Sequence, residues 1–427
     1  MTGDYLYSPD WARLLADLVV AARARWRRSD LAAAMAEVLD DAEADGTAHR
    51  ILQAFPREPV DVRATLAGYL VELRSVSEPL SEPQTGALLA ASARTPVLWA
   101  GLPVLNTPAE LASFLDLTIG ELDWFADHGN WLRSHRGPLQ HYRQRRIAKR
   151  SGLRLLEIPK PRLREIQRKL LRTLVSVIEP HPAAHGFRPG RDARSFAAPH
   201  AGGPIVLRVD LRDFFASVPG ARIRAVFVAV GYPPPIAALL ADLCTTATPI
   251  AALCGLDPAI AGLLRGRHLP QGASTSPALS NLVLRNTDRR IAGYVARHGL
   301  RYTRYADDLA VSGSGFDPAA VRWVIEKIVT DEGFRLHPDK TSVMRSHQRQ
   351  RLASLVINTR PQVNRSEYDA LRALLHNAAS TGAAAQNRGG HEHFREHVFG
   401  RIGWAGASNP DRRRVLLGLA ERVDWSR

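Results

Sequence analysis

The chain contains little cysteine and no long apolar run. Its 427 residues include 2 cysteines, Cys244 and Cys254, and no CxxC pairs or paired histidines accompany them. A disulfide framework or a zinc site is therefore not favoured, and we expect both cysteines to be small core residues. No uncharged stretch of about eighteen apolar residues occurs, and the N-terminus has no basic stretch followed by an apolar run. The sequence thus favours a cytoplasmic protein with no membrane partner.

Acidic residues are also scarce in most of the chain. The formal net charge is +15, yet residues 1–100 carry 10 basic against 14 acidic side chains, so the positive charge lies in residues 101–427. The densest stretch, Arg143–Arg194, has 15 basic and 4 acidic residues. Such a surplus favours binding to a phosphate backbone with release of counterions. A solvated, arginine-rich surface is the alternative interpretation.

Composition and periodicity indicate several parts. With 45% hydrophobic residues, the chain can bury a sizeable core and divide into two to four domains or subdomains. Residues 9–45 are alanine-rich with a helical apolar period, and the proline-rich stretch 75–108 predicts a boundary near residue 100. Residues 106–127 predict a capped helix start and a second short helix, each with an apolar face, and the segments after Arg365 are again helical and basic.

Two adjacent aspartates stand in a predicted β-hairpin. The segment RYTRYADDLAVSGSG, residues 301–315, alternates like two strands joined by a tight turn that carries Asp307 and Asp308. Upstream, PIVLRVDLRDFFASV is apolar up to Val209 and then places Asp210 at the end of a strand. The aspartate pair could be simple turn chemistry. Alternatively, the strands bring the three carboxylates together, where Mg²⁺ would neutralise them.

These segments resemble the palm motifs of reverse transcriptases. YADD, VDLRDFF and LPQGASTSPALSNLV occur in the order that this family uses, and the similarity extends over about residues 105–420. The resemblance implies an α+β fold with the right-hand polymerase architecture. Fingers would occupy residues 101–200, the palm 201–350 and a helical, RNA-binding thumb 351–427, after a helical N-terminal extension over 1–100.

The resemblance assigns roles to the palm residues. Asp210 and Asp307 match the aspartates that ligate two catalytic Mg²⁺ ions, and Asp308 matches the neighbouring carboxylate of that site. Phe215 falls where an aromatic ring lies beneath the incoming sugar and excludes a 2′-OH, although a core phenylalanine is the alternative. Asp213 would lie near the triphosphate.

The resemblance also implies where the incoming nucleotide is held. Arg154, together with Lys149 or Arg150, lies in a segment similar to the fingers hairpin and would bind the triphosphate. Gln271 and Gly272, in the PQG turn, match residues that let the backbone approach the nascent base pair.

Further basic residues match positions near nucleic acid or the leaving group. Arg188 and Arg191 would lie near the template or the nucleotide, and Arg395 and Arg401 would meet RNA phosphates in the thumb. Lys340 stands in the place of a lysine that protonates pyrophosphate, with a plain surface lysine as the alternative. The segment HEHFREH offers two histidines four residues apart, but no third ligand is clear, so a zinc site is not favoured.

Within that family, the closest resemblance is to bacterial retron enzymes of the myxobacterial kind. It rests on IPKPRLREIQRKLL, HPAAHGFRPGRD and FGRIGWAGASNPDRRRVLLGLAERV. The resemblance implies a structured noncoding RNA as primer and template, dNTPs as substrates, and synthesis from a guanosine 2′-OH. The product would be branched RNA–DNA, called multicopy single-stranded DNA (msDNA). The resemblance also implies an antiviral role and an effector protein as a further partner.

Two departures and several alternatives stay open. Leu352, Ala353 and Ser354 replace the Val-Thr-Gly triplet of many retron enzymes, and their Asn-Ala-x-x-His element is missing. A group II intron or diversity-generating type of reverse transcriptase is one alternative. A non-catalytic RNA-binding scaffold that retains the palm is another. An RNA-dependent RNA polymerase is less favoured because of Phe215.

Overall fold

The structure is a computed structural model that describes residues 9–22, 26–55, 58–59, 62–72, 98–133, 135, 137–149 and 152–426. The chain divides into two compact units, Met1–Val97 and Leu98–Arg427. Helices and strands are both present, so the fold is α+β. None of the helices in the described ranges is long and apolar enough to cross a membrane.

The first unit is helical and has its own core. Its helices are α1 (Pro9–Ala21), α2 (Arg28–Met35), α3 (Asp41–Ala54) and α4 (Val62–Glu72). Their apolar faces are buried against one another, with Leu14 and Leu31 fully inaccessible to solvent. The helical character predicted for residues 9–45 is confirmed, and the structure divides this segment among α1, α2 and the start of α3. Arg27 has an extended backbone, and the Asp40 side chain accepts a hydrogen bond from the Glu43 amide, which starts a new helix.

The second unit carries the strands and the remaining helices. The strands are β1 (Tyr142–Lys149), β2 (Gly152–Pro159), β3 (Ile205–Asp210), β4 (Arg301–Tyr305), β5 (Asp308–Gly313), β6 (Ser342–Arg345), β7 (Arg351–Leu352) and β8 (Leu355–Val356). The helices before β4 are α5 (Pro108–Phe114), α6 (Ile119–Ala126), α7 (Pro161–Thr173), α8 (Ala193–Ala197), α9 (Gly220–Ala229), α10 (Pro234–Cys244), α11 (Ile250–Leu253), α12 (Pro258–Arg265), α13 (Ser276–Val283) and α14 (Arg285–Arg297). Those after β5 are α15 (Pro318–Asp331), α16 (Arg365–Thr381), α17 (Ala383–Gln386), α18 (Phe394–Gly406) and α19 (Pro410–Ala420).

The predicted capped helix start and the second short helix are confirmed as α5 and α6, and the structure caps both of them. In each, a threonine accepts from the backbone amide of a glutamate three residues later, and that glutamate bonds back to the threonine amide. These reciprocal bonds satisfy amides that a helix start otherwise leaves unpaired. The local sequence is sufficient to fix both helix starts.

A four-stranded antiparallel sheet, in the order β4-β5-β3-β6, lies at the centre of the second unit. Leu207 and Val209 of β3 are buried in the large core that includes α7, α9, α10 and α14. Val206 faces the other way and joins the core formed with α16, α18 and α19. Because side chains alternate across a strand, Arg208 and Asp210 share the face of Val206.

One cysteine prediction is confirmed and the other is wrong. Cys244 is buried, and burial raises the pKa of its thiol to about 12. Cys254 is exposed. It follows the short helix α11, and its carbonyl oxygen accepts a hydrogen bond of 2.7 Å from the Arg146 guanidinium. Its backbone therefore takes part in a tertiary contact, whereas its side chain does not belong to the core.

A neutral histidine is buried behind the sheet. His200 is fully inaccessible, with Nδ1 2.7 Å from Ser312 Oγ and Nε2 2.8 Å from Thr303 Oγ1. Thr303 donates its own proton to the Phe196 carbonyl, so His200 Nε2 is the donor and Nδ1 the acceptor. Burial, together with the positive charge of Arg301, lowers the pKa of His200 to about 3.

We therefore expect the free energy of unfolding to fall as the pH is lowered from 7 to 5. The unfolded chain binds a proton at this histidine below about pH 6.5, whereas the folded chain does not until about pH 3. The contribution of His200 approaches about 1.4 kcal/mol per pH unit only below about pH 6, and it amounts to about 2 kcal/mol between pH 7 and pH 5. Urea unfolding of the wild type and of His200→Gln at pH 7, 6 and 5 tests this. An equal pH dependence in the two proteins would contradict the prediction.

Candidate active site

The YADD segment forms a two-residue hairpin turn. Tyr305 pairs with Asp308 across β4 and β5, so Ala306 and Asp307 make up the turn, and Ala306 has a φ of +56°. The sequence analysis placed both aspartates in the turn, and for Asp308 this is wrong. Asp308 is the first residue of β5, because the turn closes with two residues and continues directly into the ladder.

The structure brings the three aspartates together at one end of the sheet. Asp210, the last residue of β3, is the antiparallel partner of Asp308. The amide of Leu211 donates a hydrogen bond of 2.9 Å to the Asp307 carbonyl oxygen, which fixes the turn beside the end of β3. The buried residues of β3 therefore end at Asp210, at the same edge of the sheet where the turn of the hairpin lies.

Two of the carboxylates are paired with cationic side chains. Asp210 is 3% exposed and accepts a hydrogen bond of 2.7 Å from Lys340 Nζ. Asp308 Oδ1 accepts from Arg208 Nε at 2.8 Å and from its Nη2 at 2.6 Å. Burial raises the pKa of both carboxyl groups, while Lys340 and Arg208 oppose the shift at Asp210 and Asp308, respectively. A nearby positive charge therefore stabilises the ionised form of each of these two carboxyl groups.

The donor set suits a hard divalent cation, but its side chains are arranged as ion pairs. Reverse transcriptase motifs led us to expect oxygen ligands, and the three aspartates supply only oxygen. Within the described ranges, no three side chains of aspartate, glutamate, histidine or cysteine converge closely enough to hold an ion. Lys340 and Arg208 occupy the carboxylates for which a metal ion would compete.

Arg208 is a site residue that the sequence analysis missed. It stands two residues before Asp210, so the alternation of β3 places both on one face, and this signal could have revealed it. A cavity of about 460 Å³ opens beside it. The cavity is lined by Arg208, Asp308, Ser342, Met344, Arg349, Arg351, Ala353 and Ser354. With three arginines, it is suited to a phosphate group.

The hairpin that lines this cavity has a strained turn. Leu352 pairs with Leu355, so Ala353 and Ser354 form a two-residue loop, with φ values of +43° and +69°. Two positive φ values are typical of a type I′ turn, which prefers Asn-Gly. This is where the chain departs from the Val-Thr-Gly triplet.

Replacing Ser354 with glycine is expected to stabilise the protein. A non-glycine residue in the left-handed region costs about 1 kcal/mol or more, and glycine removes that cost. We expect the urea midpoint to rise by an amount equivalent to about 1 kcal/mol, less the larger backbone entropy that glycine loses. Ser342→Gly, in strand β6, is the control and should destabilise. A lower midpoint for Ser354→Gly would contradict the strain.

The segment after β3 contains two adjacent aromatic residues that differ in burial. Phe214 is 3% exposed and contacts Phe334, with ring centroids 5.7 Å apart, as expected of a core residue. Phe215 is only partly buried, and its ring centroid lies 5.6 Å from that of Phe214. Asp213 has a φ of +47° and lies 3.5 Å from the Arg212 guanidinium. Of the two rings, the Phe215 ring is therefore the one that stays partly accessible.

The PQG turn packs directly on β2. The Gln271 carbonyl accepts a hydrogen bond of 3.0 Å from the Glu157 amide. Gly272 has a φ of +137°, and a Cβ there would lie 2.8 Å from the Glu157 carbonyl oxygen. Gly272 thus has both a conformation and a position that only glycine suits.

A buried ion pair supports this contact, and the sequence analysis missed it. Glu157 accepts hydrogen bonds from His268 Nε2 and Thr248 Oγ1, both at 2.7 Å, while His268 Nδ1 lies 2.9 Å from the Gly266 carbonyl. Both ring nitrogens face acceptors, so His268 is an imidazolium. Burial by itself lowers the pKa of His268, but the Glu157 carboxylate more than offsets this, and the pKa is raised.

The β1–β2 hairpin carries the predicted triphosphate ligands. Lys149 ends β1 opposite Gly152, and Arg154 is an exposed residue paired with Ile147. Arg150 lies outside the described residues. Arg154 and Glu157 point to opposite faces of β2, because they are three residues apart. The hairpin therefore reaches the PQG turn through Glu157, while Arg154 lies on the opposite face.

The basic segment HGFRPGRD lies against the YADD turn. A Cβ on Gly186 would lie 2.8 Å from the Ala306 amide nitrogen, so the two backbones are in direct contact. Arg188 donates to Glu179 at 3.1 Å, and Arg191 Nη1 lies 3.4 Å from His185 Nε2. The structure thus places both predicted arginines on a segment that touches the YADD hairpin.

The C-terminal helices hold the other predicted RNA-binding residues. Arg395 and Arg401 both lie on α18, and the Arg395 guanidinium stands 5.6 Å from the centroid of Phe399. A separate groove of about 690 Å³ runs between α16 and α19. It is lined by Asp369, Arg372, Ala373, His376, Asn377, Arg414, Val415, Gly418, Leu419 and Arg422. The rings of His391 and His397 stack with centroids 4.0 Å apart.

Comparison with known proteins points in the same direction as the geometry. The family described as "Reverse transcriptase (RNA-dependent DNA polymerase)" matches residues 147–367. The chain is 39% identical to the retron Mx65 reverse transcriptase of Myxococcus xanthus over 327 residues, which cover 74% of this chain and 71% of that protein. Identity to the retron Mx162 reverse transcriptase of the same organism is 36%, over 65% of this chain and 60% of the relative. For the retron Ec86 reverse transcriptase of Escherichia coli, it is 30%, over 52% and 65%.

Proposed function

Because the chain belongs to the reverse transcriptases, and among them to the retron enzymes of the myxobacterial type, we propose that it makes branched msDNA. This RNA-directed DNA polymerase would copy a cognate structured noncoding RNA, starting from a guanosine 2′-OH of that RNA. The observation that carries the proposal is the register of β3 and β5, which pairs Asp210 with Asp308 beside the turn of Asp307. Fingers over 101–200, a palm over 201–350 and a thumb over 351–427 would surround the site.

Asp210, Asp307 and Asp308 would hold the metal ions. When bound, two Mg²⁺ ions would lower the pKa of the attacking ribose hydroxyl and stabilise the charge that develops on pyrophosphate. Lys340 neutralises Asp210 in the structure, and its side chain is 44% exposed, so it is free to turn towards solvent. We propose that Lys340 then donates a proton to the leaving pyrophosphate.

The nucleotide would lie between the PQG turn and the aromatic ring of Phe215. Gln271 and Gly272 would form the surface beneath the nascent base pair, since Gly272 leaves the backbone uncovered. Asp213 would lie near the triphosphate. Lys149 and Arg154 of the β1–β2 hairpin would bind the triphosphate oxygens.

Phe215→Ala is expected to relax the choice of sugar. A ring beneath the sugar excludes the 2′-OH by steric overlap, and its loss should raise the relative kcat/KM for an NTP against the matching dNTP by about 10-fold or more. Single-nucleotide incorporation with dGTP and GTP on a primed RNA template measures this ratio. An unchanged ratio, in a variant that still incorporates dGTP, would assign Phe215 to the core alone.

Nucleic acid would follow the arginines. Arg188 and Arg191 would contact the template beside the YADD turn, and Arg395 and Arg401 would bind phosphates of the structured RNA. The cavity beside Arg208 would receive a phosphate of the primer strand, because it adjoins Asp308. On the retron assignment alone, we further propose an antiviral role with an effector protein in the cytoplasm.

The experiment expresses the full chain with its native upstream DNA and isolates the nucleic acid that copurifies with it. We expect a DNase-sensitive species that is joined to RNA through a 2′,5′ bond, and its absence from Asp307→Asn. If only linear DNA is found, the assignment as a polymerase stands and the proposal of a branched product is wrong. Bound RNA without DNA in either protein would favour the non-catalytic scaffold. Protection from phage that Asp307→Asn abolishes would support the antiviral role.

A further inference from the structure

A fully buried ion pair lies directly beneath the YADD turn. Arg304 of β4 and Asp288 of α14 are 1% and 0% exposed. The guanidinium binds the carboxylate with two hydrogen bonds, from Nε to Oδ1 at 2.8 Å and from Nη2 to Oδ2 at 2.7 Å. Tyr302 donates a third hydrogen bond, of 2.7 Å, to the same carboxylate. The Arg304 side chain is therefore fixed in one orientation.

The remaining nitrogen of Arg304 is directed at the turn. Its Nη1 donates to the carbonyl oxygen of Ala306 at 2.9 Å and to Asn281 Oδ1 at 2.9 Å. The amide group of Asn281 in turn donates to the Gly186 carbonyl at 2.8 Å. Since Gly186 lies against the Ala306 amide, the network contacts the turn through both peptide groups of Ala306.

We infer that Arg304 is a positioning residue that fixes the catalytic turn. Ala306 has a φ of +56°, which is unfavourable for alanine and persists only where the surroundings impose it. The bond from Arg304 holds the peptide that joins Ala306 to Asp307. That peptide sets the direction from which the Asp307 carboxylate leaves the backbone. This role rests on the proposed use of Asp307 in DNA synthesis.

A role in stability alone explains the network poorly. Two opposite charges that are removed from water pay a desolvation cost, so apolar residues of similar volume often stabilise a protein equally well or better. Apolar residues cannot, however, donate a hydrogen bond to the Ala306 carbonyl. The ion pair therefore supplies orientation at the turn, which an apolar core would not supply.

This difference makes the two roles separable by experiment. The double variant Arg304→Met/Asp288→Leu removes both charges and keeps the volume, in the full chain, with poly(rA)·oligo(dT) and dTTP as substrates. We expect the melting temperature to fall by a few degrees, because Tyr302 Oη and Asn281 Oδ1 lose their partners in the ion pair. Measured well below the melting transition, kcat should fall by about 30- to 100-fold, while KM for dTTP changes by less than about 3-fold. The Mg²⁺ concentration for half-maximal activity should rise by about 3- to 10-fold, because Asp307 is less well placed. Arg290→Met, which removes the partly exposed ion pairs of Arg290, on the same helix α14, with Asp331 and Glu332, is the control and should keep all four values near those of the wild type.

A folded double variant with the kcat and Mg²⁺ dependence of the wild type would overturn the inference. If the double variant does not fold, Asn281→Ala decides, because it leaves the Arg304–Asp288 pair intact and removes only the support of Nη1 and of Gly186. A lower kcat at an unchanged melting temperature would support the role, and an unchanged kcat would overturn it. If the wild-type chain makes no DNA, the proposed function is contradicted, and the role of Arg304, which rests on it, is contradicted too.

Discussion

Asp210→Asn is expected to abolish most DNA synthesis while the protein stays folded. A lost metal ligand removes several kcal/mol of transition-state stabilisation, and about 4 kcal/mol corresponds to a loss of roughly a thousandfold in kcat. Burial raises the pKa of Asp210, so its charge is costly to bury, and a neutral isostere removes that cost. The lost pair with Lys340 offsets part of this gain. Single-nucleotide incorporation and thermal unfolding measure the two effects separately.

The matched control for this variant is Asp339→Asn. Asp339 is an exposed aspartate directly beside Lys340, and the substitution changes net charge by the same amount. We expect it to keep wild-type kcat within about 2-fold, as is usual for surface substitutions. Activity of Asp210→Asn within 10-fold of the wild type would contradict a metal-ligand role and favour the scaffold alternative.

The parts of the site that could be predicted from the sequence are those that depend on local pattern. Alternation and a two-residue turn are enough to define the YADD hairpin, and the apolar run of β3 predicts where Asp210 leaves the core. The prediction that Asp308 lies in the turn was wrong, because it is the first residue of β5. A single residue decides whether the turn has two members or three. Periodicity fixes strands better than it fixes their ends.

The residues that the sequence analysis missed are joined by tertiary contacts. Glu157 and His268 are 111 positions apart, and each separately looks like an ordinary polar residue of a strand or loop. Arg208 and Asp308 are 100 positions apart, and their contact follows only from the register of β3 against β5. A register is set by the packing of both faces of the sheet, which one chain segment does not reveal.

The same reasoning explains why Arg304 escaped notice although it lies within the most informative motif. In a strand that alternates, a charged residue at position 304 is expected to face solvent. The face of β4 that carries Arg304 is instead covered by α14, and Asp288 of that helix supplies the countercharge. A buried arginine is compatible with the fold only because this partner, 16 positions earlier, is buried with it.

Gly272→Ala, which adds a single methyl group, is expected to be strongly damaging in the proposed nucleotide site. The new Cβ would lie 2.8 Å from the Glu157 carbonyl oxygen, and a φ of +137° is unfavourable for alanine. The PQG turn or β2 must therefore shift, at a cost of about 2 to 4 kcal/mol in the free energy of unfolding. A displacement of about 1 Å beneath the base pair is expected to lower kcat/KM for dNTPs on the order of 100-fold.

Gly266→Ala isolates the cause of that effect. Gly266 lies six positions before Gly272 in the same segment, has an ordinary backbone conformation, and a Cβ there meets nothing within 4 Å. It should leave kcat/KM unchanged, so a large loss confined to Gly272→Ala would locate the constraint at the contact with Glu157. Equal and small effects of the two substitutions would mean that the PQG turn can move away from β2 without disturbing the nucleotide, and the proposed role of Gln271 and Gly272 would then be wrong.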